Sequence, residues 1–201
     1  DQAWLNSMRL AGEYAARHGV PVVLDPVGAG ASRLRTEAAR NLLHAAQPAV
    51  LRGNGSEILA LAAAEGLSSL EAATRGVDST KDSAGAVAAA RELARRNGCV
   101  VSISGETDYV TDGDAVFAVK GGSPLMSRVT GMGCSASALT AAHVAVAATP
   151  LAGAAAAMAV MAEAGETAAR QAEGPGSFLS RFLDALYLLD ARLLEQRVFP
   201  A

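Results

Sequence analysis

Short apolar runs separated by helix-length segments constrain this chain more than any other feature. Pro21-Val22-Val23-Leu24 and Ala49-Val50-Leu51 are continuously apolar, and 99–104 reads as a third strand of the same kind. A run without polar alternation suits a strand covered on both faces. The spacing of apolar residues predicts helices over 4–18, 36–46, 56–65 and 83–97, with the stretch 66–79 loop-like. Buried strands alternating with helices imply βαβ units with right-handed crossovers, hence an α/β fold with a mainly parallel central sheet. After the third strand, segments 109–111 and 115–120 read as a hairpin around Asp112-Gly113. Three helices follow, near 133–148, 151–172 and 177–196.

In such sheets ligands bind beyond the carboxyl ends of the strands. Asp25, Arg52, Asn54 and Ser104 all follow predicted strand ends. Val129-Thr130-Gly131-Met132-Gly133-Cys134 opens a predicted helix, where glycines let the backbone turn tightly and leave its amides open. Free N–H groups at a helix N-terminus, reinforced by the helix dipole, favour anionic oxygen. Cys134 puts a thiol at the mouth of that site. Asp25 reads either as a turn aspartate or as a cation ligand. Glu57 reads either as a capping carboxylate behind the N-cap Asn54 or as a second ligand. Two acids ending adjacent strands suit magnesium, which takes few protein ligands plus water and substrate phosphate. Zinc needs a ligand set that the scattered His18, His44 and His143 do not form. The planar guanidinium of Arg52 suits either phosphate oxygens or a neighbouring acid. Ser104-Gly105-Glu106-Thr107 offers hydroxyls and amides to a nucleotide.

Composition removes several classes of function. The 201 residues suffice for one domain with a full core. A net charge of −3 and 4% aromatic residues argue against a nucleic-acid surface. The stretch 129–162 has no Asp, Glu, Lys or Arg, yet glycines, His143 and Pro150 divide it. Its abundant alanine inserts poorly into lipid, so two buried helices joined at Thr149-Pro150 are expected rather than a membrane span. Two cysteines, Cys99 in a strand and Cys134 at a helix start, fit a reducing cytosol better than a disulfide framework.

Six segments in order carry a family resemblance. They are Leu24-Asp25-Pro26-Val27-Gly28-Ala29-Gly30, Leu51-Arg52-Gly53-Asn54-Gly55-Ser56-Glu57-Ile58, Gly76-Val77-Asp78-Ser79, Ser104-Gly105-Glu106, Val110-Thr111-Asp112-Gly113 and Val129 to Cys134. Together they resemble the hydroxyethylthiazole kinases, members of the ribokinase-like fold. Asn54-x-x-Glu57 resembles the element that this fold uses near magnesium and phosphate. Most relatives have Gly-x-Gly-Asp where this chain has Gly131-Met132-Gly133-Cys134, and the cysteine points to the thiazole kinases. The resemblance implies a single three-layer α/β/α domain over 1–201 that moves the γ-phosphoryl of ATP to the primary alcohol of 4-methyl-5-(2-hydroxyethyl)thiazole, in thiamine biosynthesis or salvage. It implies Asp25 and Glu57 at magnesium, and Arg52, Asn54 and Ser104 at ATP. Gly131 would lie at the substrate hydroxyl and Cys134 would be catalytic, in a cytoplasmic homotrimer with the thiazole site between subunits.

Two departures accompany it. Met132 stands where the family has a small residue, often Thr, and is expected to crowd the loop. The family's N-terminal quarter has no counterpart here, so the chain is expected to be a fragment or a gene product lacking part of its substrate site. Rival readings are a ribokinase-like kinase for a pyrimidine or pyridoxal-type alcohol, and a non-catalytic ATP-binding or assembly module.

Overall fold

Alternation along the strands sorts the core into two halves and places the site on one of them. The computed structural model of the chain describes residues 2–67, 84–190, 192 and 194–201. Its six-stranded sheet runs in the order β1 (Val23–Leu24), β2 (Val50–Asn54), β3 (Val100–Ser104), β4 (Thr107–Thr111), β5 (Val116–Lys120) and β6 (Val198–Pro200). Strands β1, β2 and β3 are parallel, with Val23 opposite Val50 and Val50 opposite Val100. Leu24, Leu51, Val101 and Ile103 join the core on one face, under α2 (Arg33–Ala46), α3 (Gly55–Ala64) and α4 (Val87–Asn97). Val50, Val100, Val110 and Val119 join the core on the other, under α5 (Met132–Val144), α6 (Pro150–Gln171) and α7 (Pro175–Tyr187). The result is the three-layer helix–sheet–helix arrangement that the family resemblance implies.

The sheet is mixed, which corrects the expectation of a mainly parallel one beyond β3. Only Gly105 and Glu106 separate β3 from β4, and a parallel crossover needs about a dozen residues or more. β4 therefore turns back antiparallel to β3, and β5 and β6 continue antiparallel. The last helix also differs: it ends at Tyr187 rather than near 196. Just beyond, Asp190 Oδ1 accepts the Arg192 N–H at 3.0 Å, a local turn that competes with helix. The chain then adds β6, an edge strand too short to show a period. The predicted loop at 66–79, with its Gly76-Val77-Asp78-Ser79 segment, lies largely outside the described residues.

The charge-free stretch becomes α5 and the start of α6, divided where expected. Thr149 caps α6 by accepting the Ala152 N–H at 3.2 Å, and Pro150 opens the helix. Small side chains let α6 lie close to its neighbours: a Cβ on Gly153 would come within 2.8 Å of the Val144 backbone. No helix among the described residues is long and apolar enough to cross a membrane. Helix α1 (Gln2–Arg17) packs on α2 through Gly12, where a Cβ would meet Ala46 Cβ at 2.5 Å. Trp4, Leu10 and Tyr14 on α1 are exposed.

Candidate active site

Side chains at the carboxyl ends of β1, β2 and β3 meet the start of α5 on one face of the sheet. Period-two alternation sends Asp25, Arg52 and Ser104 to the same side as Val50 and Val100. Arg52 is the centre of the cluster and is buried. Its Nη1 donates to Asp25 Oδ2 at 3.3 Å and to the Gly133 carbonyl at 3.2 Å. Its Nη2 donates to Ser104 Oγ. Ser137, one turn beyond Cys134 on α5, donates its hydroxyl to Asp25 Oδ2 at 2.6 Å. One guanidinium thus ties three strand ends to the helix start. Its Nε–H is buried and without a partner among the described residues. With both Nη1 hydrogens and one Nη2 hydrogen committed, Arg52 is first a tie, and its second Nη2 hydrogen is left for a phosphate oxygen.

Glu57 has a structural role that its position at a helix start foretells. Asn54 caps α3, accepting the Glu57 N–H at 2.9 Å, while Glu57 Oε2 accepts the Asn54 N–H at 2.9 Å. This reciprocal pair satisfies two amides that the helix cannot. Glu57 Oε1 accepts the Gly28 N–H at 2.9 Å, where Gly28 has φ +74°. Glu57 therefore pins the turn after β1 to the start of α3. Asn54 is exposed, with its oxygen engaged in the cap.

The donor set is compatible with magnesium. Among the described residues no three His, Cys, Asp or Glu side chains gather to hold a metal. Asp25 Oδ2 is occupied by Ser137 and Arg52, whereas Oδ1 accepts no hydrogen bond among the described residues. One open carboxylate oxygen is compatible with an ion that takes few protein ligands and keeps most of its water. The histidines have local partners: His18 Nδ1 lies 2.8 Å from the Tyr14 carbonyl, His143 Nδ1 2.8 Å from that of Leu139, and His44 Nε2 2.9 Å from Glu65.

Helix α5 supplies the anion-binding element. Gly131 is its N-cap at φ +95°, a conformation that favours glycine, and no side chain caps the helix. The first intrahelical bond runs from the Ser135 N–H to the Gly131 carbonyl at 2.8 Å. The amides of Met132, Gly133 and Cys134 precede it and have no acceptor in the helix. Open space lies where a Gly131 Cβ would stand, and a Gly133 Cβ would sit 3.2 Å from Arg52 Nη1. Cys134 is exposed and Cys99 is buried, its thiol pushed up to about 11 by burial. Met132 is buried in the core rather than lodged in the loop, which corrects the expectation of crowding.

Asp108 joins this face and was not foreseen. It shares the parity of Val110, which lies opposite Ser102, so it points toward α5 and α6. Its Oδ1 accepts the Gly105 N–H at 2.9 Å, holding the turn that follows Ser104. Burial pushes its carboxyl up to about 6, against that hydrogen bond and the nearby charge of Arg52. The sequence carries little sign of it, since Thr107-Asp108 is polar and Tyr109-Val110 apolar with no alternation. At the opposite, amino ends of the strands, an open cavity of about 640 Å³ is lined by residues including Pro21, Val22, Cys99 and Pro150. None of Asp25, Arg52, Glu57, Ser104, Asp108 or Cys134 lines it.

Comparison with known proteins places this geometry in context. A family model described as the hydroxyethylthiazole kinase family matches residues 1–192. A hydroxyethylthiazole kinase of Nitratidesulfovibrio vulgaris is 56% identical over 195 residues, covering 97% of this chain and 71% of that protein. One from Klebsiella pneumoniae is 52% identical, over 90% of this chain and 67% of its own length. The solved structure of a hydroxyethylthiazole kinase protein from Pyrococcus horikoshii superposes on all of this chain and 72% of that one, at 37% identity and a TM-score of 0.84. A Bacillus subtilis pyridoxal kinase structure, at 22% identity and a TM-score of 0.58, shares the fold.

Proposed function

Because the chain belongs to the hydroxyethylthiazole kinase family, we propose that it transfers the γ-phosphoryl group of ATP to the primary alcohol of 4-methyl-5-(2-hydroxyethyl)thiazole, in thiamine biosynthesis or salvage. The observation that carries this reading is the convergence of Asp25, Arg52 and Ser104 on the open amides of α5. Phosphoryl transfer has a loose transition state with charge spread over equatorial oxygens, so positioning and electrostatics dominate. The Met132, Gly133 and Cys134 amides receive the migrating group. Removing one such donor typically lowers the rate by about 10²–10³. Asp25, with Glu57 acting through water, would hold magnesium. When bound, that ion offsets the charge of the nucleotide phosphates. Ser104 and the free Nη2 hydrogen of Arg52 meet the nucleotide, with Asn54 at its edge. Gly131 leaves room for the alcohol, and Cys134 Sγ orients the hydroxyl and takes its proton.

The same proposal includes the homotrimer and the cytoplasmic setting. Exposed Trp4, Leu10 and Tyr14 on α1 offer apolar surface to a neighbouring copy. Unpaired Cys99 and Cys134 suit a reducing compartment. The test of function is incubation of the protein with MgATP and hydroxyethylthiazole, hydroxymethylpyrimidine or pyridoxal in parallel, followed by mass analysis of the products. The thiazole phosphate should form fastest. Faster phosphorylation of either other alcohol would move the assignment to that substrate, and ATP binding without any product would leave a binding module.

A further inference from the structure

Ser137 on α5 reaches the acid that follows β1. Its hydroxyl donates to Asp25 Oδ2 at 2.6 Å, across 112 residues of sequence. Arg52 Nη1 donates to the same oxygen at 3.3 Å. Two donors on one oxygen fix the rotation of the carboxylate and leave Oδ1 as its open acceptor. Asp25 is largely buried, so water competes little for this arrangement. Ser137 also sits three residues beyond Cys134, on the same side of the helix. The hydroxyl therefore couples the helix that carries the open amides to the acid that faces the cation.

We propose that Ser137 is a positioning residue, whose hydrogen bond to Asp25 Oδ2 reserves Oδ1 for a divalent cation accompanying the nucleotide. The inference rests on the kinase reading above and adds to it a residue that touches neither substrate. Arg52 alone holds Oδ2 at a longer distance and is shared with Gly133 and Ser104, so it does not replace the serine. Losing an outer hydrogen bond of this kind typically weakens metal affinity about 10–100-fold.

The experiment compares Ser137→Ala, Ser137→Thr, Ser137→Val and Asp25→Ala. Thr and Val have nearly the same shape, so that pair isolates the hydroxyl even where alanine alone disturbs packing. The first readout is the magnesium concentration for half-maximal turnover at saturating ATP and alcohol. The second, independent of turnover, is binding of Mn²⁺·ADP followed by electron paramagnetic resonance. Ser137→Ala and Ser137→Val should raise the half-maximal magnesium concentration and the dissociation constant of Mn²⁺·ADP by about tenfold or more. Their kcat at saturating magnesium should stay within about twofold of the parent, and Ser137→Thr should restore parental values. A lower melting temperature with unchanged metal requirement in Ser137→Val would show a structural role only and overturn the proposal. Unchanged Mn²⁺·ADP binding in Asp25→Ala would instead overturn the cation assignment beneath it.

Discussion

Replacing Asp108 by asparagine should change how stability depends on pH. Burial raises the Asp108 carboxyl from 3.8 to about 6 in the folded chain. Between these values the folded state holds a proton that the unfolded state has lost. Stability therefore falls as pH rises through the window from about 4 to about 6, and is level above it. Two pKa units correspond to about 3 kcal/mol between fully protonated and fully ionised limits. Between about pH 4 and about pH 7.5 the accessible part is roughly 2–3 kcal/mol, because the unfolded carboxyl is already half ionised at the lower end. Asp108→Asn keeps an oxygen to accept the Gly105 N–H and removes the titration. Any constant effect of the amide cancels when the variant is compared with the parent at both pH values. The assay is urea unfolding of both proteins across that range, with linear extrapolation. Asparagine should gain roughly 2–3 kcal/mol relative to aspartate on going from pH 4 to 7.5. A difference that does not change with pH would refute the claim that Asp108 is held near 6 by burial.

Three further outcomes are expected. Cys134→Ala should lower kcat by about 10²-fold or more, the usual range for a proton-handling group, while Cys134→Asp keeps substantial activity; steady-state rates across pH 5–9 decide, and an alanine variant equal to the parent removes Cys134 from the chemistry. Arg52→Lys should weaken ATP binding and also lower the melting temperature, since hydrogen bonds to charged groups contribute about 1.5–3 kcal/mol and lysine cannot reproduce the fork to Asp25, Gly133 and Ser104; calorimetry showing weaker ATP binding with an unchanged melting temperature would contradict its role as a tie. Arg197→Ala should destabilise by about 3–5 kcal/mol, because it removes the main partner of the buried Glu163 carboxylate; a loss below about 1 kcal/mol in denaturant unfolding would mean that Thr167, which donates to Glu163 at 3.1 Å, and Arg170, 3.9 Å away, suffice to hold it.

The legible part of this protein is its parallel half. Uninterrupted apolar runs announce β1 and β2, and strand ends announce Asp25, Arg52 and Ser104, because a parallel sheet gathers its carboxyl ends at one edge. Gly131 to Cys134 is a common kind of turn by itself, and it is legible as a helix start because an apolar run follows and strand ends precede it. Ser137 was hidden, since a serine inside a helix carries no local mark of a partner 112 residues away. Asp108 was hidden because Thr107-Asp108-Tyr109-Val110 does not alternate polar with apolar residues, so nothing local marks which side the acid takes. Arg52 was read as a phosphate fork or an ion-pair partner, and the fold makes it an ion pair and a strap at once. β6 escaped because three residues at an edge show no period.

The central claim is that nucleotide binds at the carboxyl ends of β1, β2 and β3, against the start of α5. Amide chemical-shift mapping on addition of MgADP tests it most directly. The account predicts the largest shifts at Gly28, Gly105, Met132, Gly133 and Cys134. Shifts concentrated instead around Val22, Ala49, Cys99 and Leu151, at the cavity beneath the amino ends of the strands, would contradict it.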